Sequence, residues 1–398
     1  MQLKTFSQSD IAGKKVVVRV DFNVPLADGK VSDDTRILAH IPTITALLDA
    51  GADVALISHL GRPKGERNMK YSLEPVCARL AELTGWNVKF VPDCIGKKVS
   101  DAVTEWKKGE ILLLENLRFY SEEEKNDKEF AKALAADFDA FVMDAFSASH
   151  RAHASTRAIT EFVPSYSGML INREITMLSA ARDNPKKPFV LILGGAKVSD
   201  KIAVVENMLR KVDTILVGGG MAFTFLKALG KEIGKSLCEE QKLDFAAKML
   251  EEAKQFGVKI VLPIDVVTAK EFKADSPAHV TDADSIPADE MGLDIGPATA
   301  KLFADEIAAA KTVIWNGPMG VFEMPSFAKG TEEVAKALVS ATRNGTLTVV
   351  GGGDSAAAIT QFNMQDKVSH VSTGGGASLE FFEGKLLPGI EPFILGNH

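Results

Sequence analysis

Short runs rich in valine, isoleucine and leucine alternate along this chain with longer amphipathic stretches, and this alternation constrains the fold more than any other feature. Such an alternation is typical of repeated β-α-β units on a parallel sheet. The first half contains five runs: KKVVVRVDFN, ADVALISHLGR, NVKFV, GEILLLENLRF and FDAFVMDAF. The second half contains five more: PFVLILGGAK, DTILVGGGMA, VKIVLPIDVV, KTVIWNGPMG and GTLTVVGGGDS. The pattern predicts an α/β protein with one sheet in each half.

The length of the chain, 398 residues, favours two domains, because a single core seldom grows beyond about 250 to 300 residues. Between the two sets of runs, Ile171, Ile175 and Leu178 mark one face of a helix that Pro185 and Pro188 end. We therefore expect two Rossmann-like domains, each a parallel sheet flanked by helices. An interdomain helix over 171–183 joins them, with a cleft between.

Composition restricts the class of partner. The chain is 46% hydrophobic and 25% charged, as ordinary globular proteins are. Its apolar runs are far shorter than the roughly 18 residues of a membrane span, and no signal-peptide stretch opens it. A cytoplasmic location is expected. The net charge of -7 argues against nucleic acid and against an anionic membrane surface, so an anionic substrate would need a local basic site.

Two smaller features have simple interpretations. Cys77, Cys94 and Cys238 are few, odd in number and widely spaced, so we interpret them as small hydrophobic residues. The acidic run at 121–127, SEEEKND, is expected to be a solvated loop.

Charged side chains follow the strands of the first half. Ligands of open parallel sheets bind at the carboxyl ends of the strands, so the residues after each run are the ones to compare. In the first half these are Asp21, Asn23, Arg36, His59, Arg62, Arg118, Asp144, His150, Arg151 and His153. Guanidinium forks match carboxylate and phosphate oxygens, and this edge therefore suits a small, multiply charged anion. Arg19 lies within a run and is expected in a structural pair instead.

Glycines follow the strands of the second half. The positions concerned are Gly194, Gly195, Lys197, Gly218 to Gly220, Asn316, Gly317, Gly351 to Gly353 and Asp354. Glycine lets backbone N–H groups approach a polyphosphate, and a helix that begins there adds its positive dipole end. An acid such as Asp354 beside a phosphate implies an intervening cation, for which Mg²⁺ is the expectation. No G-x-x-x-x-G-K-[ST] loop occurs in the sequence, so the nucleotide is not held by a Walker A loop.

At these residues the sequence resembles the phosphoglycerate kinase family. The resemblance covers roughly residues 4 to 390 and is carried by RVDFNVP, SHLGRP, LLLENLRF, HRAHAS, GGAKVSDK, VGGGMAFTF, LDIGP, WNGPMGVFE, GGGDS and STGGGASLE, in the family's order. It implies reversible, Mg²⁺-dependent phosphoryl transfer between 1,3-bisphosphoglycerate and ADP, which gives 3-phosphoglycerate and ATP in glycolysis and gluconeogenesis. A monomer with no other macromolecular partner is expected. The family usually has a glycine where this chain has Ser147.

The resemblance also implies roles for individual residues. Those expected to hold phosphoglycerate are Asp21, Asn23, Arg36, His59, Arg62, Arg118 and Arg151. Those expected to hold the nucleotide are Gly195, Lys197, Lys201, Gly219, Asn316, Glu323, Gly352, Gly353, Asp354 and Ser355, with Glu323 at the ribose and Asp354 at the metal. The tail after Leu386 is expected to return to the first domain, which gives an N-terminal domain of 1–168 with 387–398 and a C-terminal domain of 169–386.

The chemistry of such a reaction agrees with the residues present. A substrate carboxylate with a pKa near about 4 is already ionised at neutral pH, so no general base is needed. In-line positioning and charge neutralisation remain for the protein. Arg36 and Lys197 are expected to do this, with Gly353 and with Gly376 in the segment Gly374 to Gly376, which opens a helix toward the transferred phosphate. Because the substrates lie on different domains, the domains must close, with the helix at 171–183 as hinge.

Other functions remain open from the residues alone. A different ATP-dependent acyl kinase is the nearest alternative enzyme. A dehydrogenase is weakly suggested because GGGDSA matches the loose dinucleotide pattern, although it lies late in the chain and lacks a suitable acid about 20 residues on. A binding or scaffolding protein without turnover is the non-enzymatic alternative.

Overall fold

The structure is a computed structural model, and it describes residues 1–396. The chain forms two compact units. The first unit comprises Met1–Thr176 together with the chain from Leu386 onward, and the second unit comprises Met177–Lys385. Of the segment 387–398 expected in the N-terminal domain, the last two residues lie outside the described part of the chain.

The first unit contains a six-stranded parallel sheet covered by helices. Its strands are β1 (Lys15–Arg19), β2 (Leu26–Ala27), β3 (Lys30–Val31), β4 (Asp53–Ile57), β5 (Asn87–Val91), β6 (Glu110–Leu114), β7 (Ala140–Met143) and β8 (Ser165–Ser167). Its helices are α1 (Gln8–Ile11), α2 (Thr35–Asp49), α3 (Glu74–Thr84), α4 (Lys97–Thr104), α5 (Ser121–Glu124), α6 (Lys128–Ala135) and the first part of α7 (Met169–Arg182). The sheet order is β5-β6-β4-β1-β7-β8, and β2 and β3 form a separate hairpin.

The central strands of this sheet are largely buried, as is typical of a parallel sheet with helices on both faces. All five residues of β6, EILLL, are buried, as expected for a strand whose two faces are both covered by helices. Val16 and Val18 of β1 and Val54 and Leu56 of β4 pack in one core with Ile44 of α2. The five predicted runs of this half correspond to β1, β4, β5, β6 and β7. The short edge strand β8 was not predicted, because its sequence SYS offers little apolar signal.

The second unit has its own six-stranded parallel sheet and a smaller antiparallel sheet. Its strands are β9 (Phe189–Leu193), β10 (Thr214–Val217), β11 (Glu232–Ile233), β12 (Lys259–Val261), β13 (Asp265–Ala269), β14 (His279–Asp282), β15 (Ser285–Ile286), β16 (Met291–Ile295), β17 (Thr312–Asn316), β18 (Leu347–Gly351) and β19 (His370–Val371). The helices that follow α7 are α8 (Ile202–Met208), α9 (Met221–Ala228), α10 (Leu243–Phe256), α11 (Pro297–Ala309), α12 (Lys329–Arg343), α13 (Gly353–Gln361) and α14 (Gly375–Phe382).

The large sheet of the second unit has the order β12-β10-β9-β17-β18-β19, and β14-β13-β16 form the antiparallel sheet. The predicted run VKIVLPIDVV therefore divides: β12 joins the parallel sheet, whereas β13 pairs with β14 and β16. Pro263, between the two strands, lacks a backbone N–H and suits this break. The predicted fold class, α/β with two parallel sheets flanked by helices, is confirmed.

Helix α7 begins in the first unit and ends in the second. Its predicted apolar face is present, since Ile171, Ile175 and Leu178 are buried. In the first unit, the Leu170 N–H of the first turn donates to Asp144 Oδ1 at 3.0 Å. In the second unit, the Arg182 guanidinium lies 3.7 Å from the centre of the Phe381 ring and donates to the carbonyl oxygen of the same residue at 2.7 Å. No helix over residues 1–396 is long and apolar enough to cross a membrane.

Candidate active site

In the first unit, hydrogen bonds connect the carboxyl ends of four adjacent strands, β6, β4, β1 and β7. Arg118, after β6, donates through Nη1 to the carbonyl oxygen of Gly61 at 2.9 Å. The N–H of Gly61, after β4, donates to Asn23 Oδ1 at 2.8 Å. The hydroxyl of Ser147, after β7, donates to Asp21 Oδ2, and Asp21 follows β1. The structure thus brings together the predicted residues from four separate stretches of sequence.

Arg36 enters this group from the first turn of α2. Its Nη1 donates to Asp21 Oδ2 at 2.8 Å and to the carbonyl oxygen of Asn23 at 3.2 Å. Among residues 1–396, neither its Nε nor its Nη2 donates a hydrogen bond, and the side chain is 41% exposed. One side of the guanidinium fork is therefore fixed by the protein, and the other side remains available to an anion.

The carboxylate of Asp21 is buried but strongly acidic. Burial alone would raise its pKa, but His59, the Arg36 guanidinium and the Ser147 hydroxyl outweigh that effect and lower the pKa to about 2. Asp21 therefore remains ionised throughout the neutral range. The carboxylate holds Arg36 in place, and it does not act as a general acid or base.

His59 is a neutral donor in a basic environment. Burial and the neighbouring Arg19 guanidinium lower its pKa well below the usual value for histidine. Arg19 Nη2 lies 3.1 Å from His59 Nδ1. Because a guanidinium can only donate, Nδ1 accepts, and the proton of the neutral ring is on Nε2. The side chain is 7% exposed, and it can offer an N–H to an anion without carrying a charge.

Arg19 is buried in a structural network, as its position within a strand predicted. Its Nε donates to Ser155 Oγ at 2.8 Å, and Ser155 Oγ donates to Glu123 Oε1 at 2.5 Å. Glu123 is fully buried and lies in α5, so the prediction that 121–127 is a solvated loop is wrong for this residue. The physical reason is charge balance, because a buried guanidinium requires a carboxylate nearby.

Sequence reasoning missed His40 as a second histidine behind the site. Its Nε2 accepts the backbone N–H of Asp21 at 2.9 Å, and its Nδ1 donates to Asp144 Oδ2 at 2.7 Å. Asp144, noted after β7, has both carboxylate oxygens occupied, since Oδ1 accepts from Leu170 in α7. His40 and Asp144 therefore hold the backbone of Asp21 rather than face a ligand.

The remaining basic residues differ in exposure. Arg118 is 6% exposed, and its Nε lies 3.2 Å from Glu124 Oε1. Arg62 and Arg151 are exposed, and Arg151 Nε donates to His150 Nε2 at 3.2 Å. Arg62 follows Gly61 in the chain. Burial lowers the pKa of Arg118, and the nearby guanidinium groups of Arg19 and Arg151 lower it further, so several positive charges lie close together there, as binding of a compact anion requires.

Ser147 does not distort the backbone in place of a glycine. It lies in a single turn of 3₁₀ helix, Phe146–Ala148, and its φ is not positive. A left-handed conformation is what would demand glycine. The departure from the family's pattern therefore adds a hydroxyl to the site and leaves the turn intact.

In the second unit, the glycines at the strand ends allow backbone to pack on backbone. A Cβ added at Gly194 would lie 2.2 Å from the carbonyl oxygen of Pro318, and one at Gly317 would lie 2.2 Å from that of Gly194. A Cβ at Gly219, which has φ +66°, would lie 2.6 Å from the nitrogen of Gly195. The close packing of neighbouring loops therefore requires glycine at these positions. The sequence indicated only that glycine would let a phosphate approach, and it gave no sign of this packing.

The glycines at the start of α13 and α14 have different surroundings. Gly352 has φ +89° and precedes α13. Apart from its chain neighbours and its own helix, no atom of residues 1–396 would lie within 4 Å of a Cβ at Gly353, so the space beside it is open. A Cβ at Gly375 would lie 2.5 Å from the nitrogen of Gly353, which brings the two helix N-termini together. Gly376 is exposed in the first turn of α14. Two positive helix ends therefore meet, an arrangement suited to phosphate.

Asn316 and Lys201 lie beneath these glycines. Lys201 Nζ donates to Asn316 Oδ1, and burial lowers the pKa of Lys201. Asn316 Nδ2 is buried with no hydrogen-bond partner among the described residues. Ser355 is fully buried, and its Oγ accepts the Gly317 N–H at 2.6 Å, so it joins two loops from within. An unsatisfied donor next to a partly buried ammonium is suited to an anionic ligand.

A cavity of about 480 Å³ opens beside the glycine loops, and most of its lining is apolar. The predicted residues Gly195, Gly219, Glu323 and Asp354 line it, together with Phe223, Phe272, Leu293 and Met319. Lys197 is exposed nearby in the chain, one residue beyond Ala196 of the lining. An apolar cavity with a few polar groups at its edge is typical of a site for a planar ligand such as a nucleoside.

Asp294 is a lining residue that sequence reasoning did not single out. Burial raises its pKa to about 8, although the N–H groups of Gly330 and Ile295 donate to its two carboxylate oxygens at 2.7 and 2.9 Å. The only sequence signal was its place in LDIGP. Its carboxyl group connects the start of α12 to β16 under the cavity.

A cluster of guanidinium groups on one sheet and glycine-lined helix ends beside an apolar cavity on another are together typical of nucleotide-dependent phosphotransferases. The family model described as "Phosphoglycerate kinase" matches residues 6–385. A phosphoglycerate kinase of Chloroherpeton thalassium is 58% identical over 391 residues, which are 98% of each chain. A relative from Triticum aestivum, named as cytosolic phosphoglycerate kinase, is 55% identical and covers 97% of this chain and 96% of its own.

Solved structures of phosphoglycerate kinases also match this chain. Phosphoglycerate kinase from Coxiella burnetii matches with a TM-score of 0.88 and 41% identity over 98% of both chains. The enzyme from Pyrococcus horikoshii matches with a TM-score of 0.83 and 33% identity over 96% of both chains. The chain belongs to the phosphoglycerate kinase family. It is a phosphotransferase with a carboxyl group as acceptor, and its reaction is reversible phosphoryl transfer between 1,3-bisphosphoglycerate and ADP, a step of glycolysis. This membership sets aside the dehydrogenase, the other acyl kinases and the scaffolding protein.

Proposed function

We propose that the strand ends of the first unit bind the acid substrate. The hydrogen-bonded connection of four strand ends carries this proposal, because it fixes one side of the Arg36 fork and leaves the other side unbonded. Neutral His59 and the exposed arginines supply further donors. The residues assigned to this role are Asp21, Asn23, Arg36, His59, Arg62, Arg118 and Arg151.

The glycine loops and the cavity of the second unit bind the nucleotide in this proposal. The apolar lining takes the purine, and Glu323 at its edge accepts from the ribose hydroxyls. The open space beside Gly353 and the unsatisfied Asn316 Nδ2 face the phosphates. The residues assigned are Gly195, Lys197, Lys201, Gly219, Asn316, Glu323, Gly352, Gly353 and Asp354, with Ser355 acting from within by holding the Gly317 loop.

Asp354 suits the Mg²⁺ ion that accompanies the nucleotide. Its carboxylate is exposed at the first turn of α13 and lines the cavity. Among residues 1–396 it forms no hydrogen bond or ion pair, so its oxygens are available. Magnesium is commonly held by one or two carboxylates together with substrate phosphates. When bound, the ion would neutralise phosphate charge.

The chemistry needs no proton transfer. A carboxylate oxygen of 3-phosphoglycerate forms a bond to the γ-phosphorus of ATP, and the bond from that phosphorus to the bridging oxygen of ADP breaks. The substrate carboxylate is already ionised at neutral pH, so no base is required. Arg36 and Lys197 neutralise the transferring oxygens. The helix ends at Gly353 and Gly376 direct their N–H groups toward the same charge.

Because the two substrates are assigned to different units, the reaction requires the two domains to close. We assign residues 1–168 with 387–398 to a phosphoglycerate-binding domain and 169–386 to a nucleotide-binding domain, with the hinge in α7. Closure would bring the reactants to the near-attack separation of roughly 3 to 3.5 Å and exclude water. The enzyme is proposed to act as a monomer and, like its wheat relative, in the cytosol.

Calorimetric titration of the full chain tests the acid-site assignment. Arg118→Ala should weaken 3-phosphoglycerate binding by about tenfold or more and leave Mg·ADP binding unchanged, because a charged hydrogen-bond donor is lost. Arg157→Ala is the matched control, since this arginine pairs with Glu391 at 3.4 Å outside the site. Equal losses for both ligands, or equal losses in both variants, would contradict the assignment.

Small-angle scattering tests the closure. The radius of gyration should fall most with 3-phosphoglycerate and a non-hydrolysable Mg·ATP analogue together, and less with either ligand alone. A radius that does not change with both ligands at saturation would contradict the proposed motion.

A further inference from the structure

Ser147 makes a contact that its neighbours in the turn do not make. Its hydroxyl donates to Asp21 Oδ2, 126 residues away in sequence. Ser149, two residues on, instead donates to the carbonyl oxygen of Phe146 at 2.6 Å and so stabilises the turn itself. The two serines of one turn therefore have separate tasks, one directed at the site and one at the backbone.

The acceptor positions of Asp21 can be counted. An ionised carboxylate offers about four lone-pair positions, two on each oxygen. Oδ2 accepts from Arg36 Nη1 at 2.8 Å and from Ser147, and Oδ1 accepts from the Asn23 N–H at 3.1 Å. The residue is 4% exposed. With Ser147 present, the donors among residues 1–396 leave one acceptor position unoccupied, and it lies on Oδ1.

We propose that Ser147 is a positioning residue for the acid substrate, which holds the Asp21 carboxylate so that the free side of the Arg36 fork and one acceptor on Oδ1 face the ligand. The matching ligand is an anion that carries a single hydroxyl donor near its carboxylate. This inference rests on the proposed assignment of Asp21 and Arg36 to that substrate. Ser147 itself acts through Asp21 and need not contact the ligand.

The charges around Asp21 explain why a neutral donor is useful there. The guanidinium groups of Arg36 and Arg19 favour its ionised form. Arg36 Nη1 also donates to Oδ2, and a second donor is needed to occupy the other lone-pair position of that oxygen. The Ser147 hydroxyl, from the neighbouring strand end, is that second donor. Loss of that donor would leave a buried acceptor unpaired and permit the carboxylate to turn away from Arg36.

Steady-state kinetics of Ser147→Ala provides the first measurement. We expect kcat/KM for 3-phosphoglycerate to fall about tenfold, the scale of one hydrogen bond to a charged group, with the KM for Mg·ATP unchanged. Ser147→Thr keeps a hydroxyl and should restore most of the loss. Ser149→Ala is the matched control, because it weakens the same turn without touching Asp21. It should lower the melting temperature and leave kcat/KM for the acid substrate within about twofold.

A double-mutant cycle separates positioning from a general structural role. In an Asp21→Ala background, which removes the acceptor, Ser147→Ala should cause no further loss, because the residue acts only through the carboxylate. A loss of about tenfold in that background as well would overturn the inference, and so would wild-type kinetics for Ser147→Ala itself. If Asp21→Ala alone leaves kcat/KM for the acid substrate unchanged, the assignment of Asp21 fails, which is a distinct result.

A substrate analogue gives a ratio of two activities, which does not depend on the fraction of a variant that is folded. 3-Phosphonooxypropanoate lacks the hydroxyl at carbon 2. The wild-type enzyme should prefer 3-phosphoglycerate to this analogue by a larger factor than Ser147→Ala does, because the variant no longer directs the free acceptor of Asp21. An equal factor in both proteins would overturn the inference.

Discussion

The two six-stranded sheets use the same edge, the carboxyl ends of parallel strands, in opposite ways. In the first unit, side chains occupy that edge, and Arg36 is held by Asp21 before any ligand arrives. In the second unit, the edge is backbone, with the loops at Gly194, Gly317 and Pro318 packed so closely that a Cβ would not fit. A compact, multiply charged anion is best held by forks, whereas a nucleotide phosphate is best approached by N–H groups and helix ends.

This difference has a consequence for mutation. In the first unit, binding side chains such as Arg62 and Arg151 are exposed, so their removal should alter function more than stability. In the second unit, Gly194, Gly219 and Gly317 are needed for the loops to pack at all. Function and stability should therefore be separable at one edge and largely inseparable at the other.

The largest effect is expected for Arg36→Ala. Turnover should fall by about a thousandfold, because the unbonded side of the fork is lost from the transition state. ADP affinity should change little, whereas the melting temperature should fall, because Asp21 is left as a buried carboxylate without its guanidinium partner. Stopped-flow kinetics and calorimetry on the same preparation measure the two quantities. Equal losses of turnover and ADP affinity would contradict the assignment of Arg36 to the acid-substrate site.

Asp354→Asn comes next. The variant should weaken Mg·ATP by about ten- to a hundredfold but metal-free ATP much less, since the carboxylate serves the cation. Titration of activity against Mg²⁺ at fixed nucleotide gives the result. Asp366→Asn, at an exposed turn outside the cavity, is a suitable control. An Asp354→Asn enzyme with normal Mg²⁺ dependence would remove the assignment.

A pair of glycine variants tests the second edge directly. Gly353→Ala should fold normally, since the described residues outside its own helix and its chain neighbours leave the new Cβ free of contacts within 4 Å. It should bind Mg·ATP about tenfold more weakly, because the methyl group fills the space assigned to phosphate. Gly194→Ala should be less stable by about 1 to 3 kcal/mol or fail to fold, because its Cβ would meet the Pro318 carbonyl at 2.2 Å. Chemical denaturation and nucleotide titration distinguish them. Unimpaired nucleotide binding in Gly353→Ala would contradict the assignment of that space.

The smallest effects concern pH, and the two buried carboxylates should respond with opposite sign. Asp21 has its pKa lowered to about 2, so its contribution to stability is present above the ordinary pKa near 4 and is lost as pH falls toward 2. Asp294 has its pKa raised to about 8, so its contribution is present below pH 4 and is lost as pH rises through 8. The stability difference between wild type and each Asp→Asn variant, measured against pH, should change in these separate windows. Parallel curves for the two variants would show that the sign is wrong for one of them.

The strand ends could be predicted from the sequence because they need only local information. Apolar runs define the strands, and parallel pairing puts every carboxyl end at one edge, so Asp21, His59 and Arg118 are expected there without a structure. The glycine clusters could be predicted in the same way. The packing that requires glycine there could not be predicted, because the contact of Gly194 with Pro318 joins positions more than a hundred residues apart.

Buried polar partners were the least predictable part of the site. His40 has a place on the apolar face of α2, between Ile37 and Ile44, and this pattern alone indicates only a core residue. Its partner Asp144 lies 104 residues away. Glu123 stands in an acidic run that favours solvent, and only the buried Arg19 explains its position. Such pairs depend on which elements the tertiary fold brings together.

Hydrogen-deuterium exchange with each ligand alone tests the division of labour between the two edges most directly. With 3-phosphoglycerate, exchange should slow in peptides that span 20–24, 58–63, 116–119 and 144–152, and remain nearly unchanged at the glycine loops. With Mg·ADP, it should slow in peptides that span 194–201, 218–224, 316–323 and 351–356, and remain nearly unchanged at the arginine edge. Protection of the glycine loops by 3-phosphoglycerate alone, or of the arginine edge by Mg·ADP alone, to the same extent as by the assigned ligand would contradict the account.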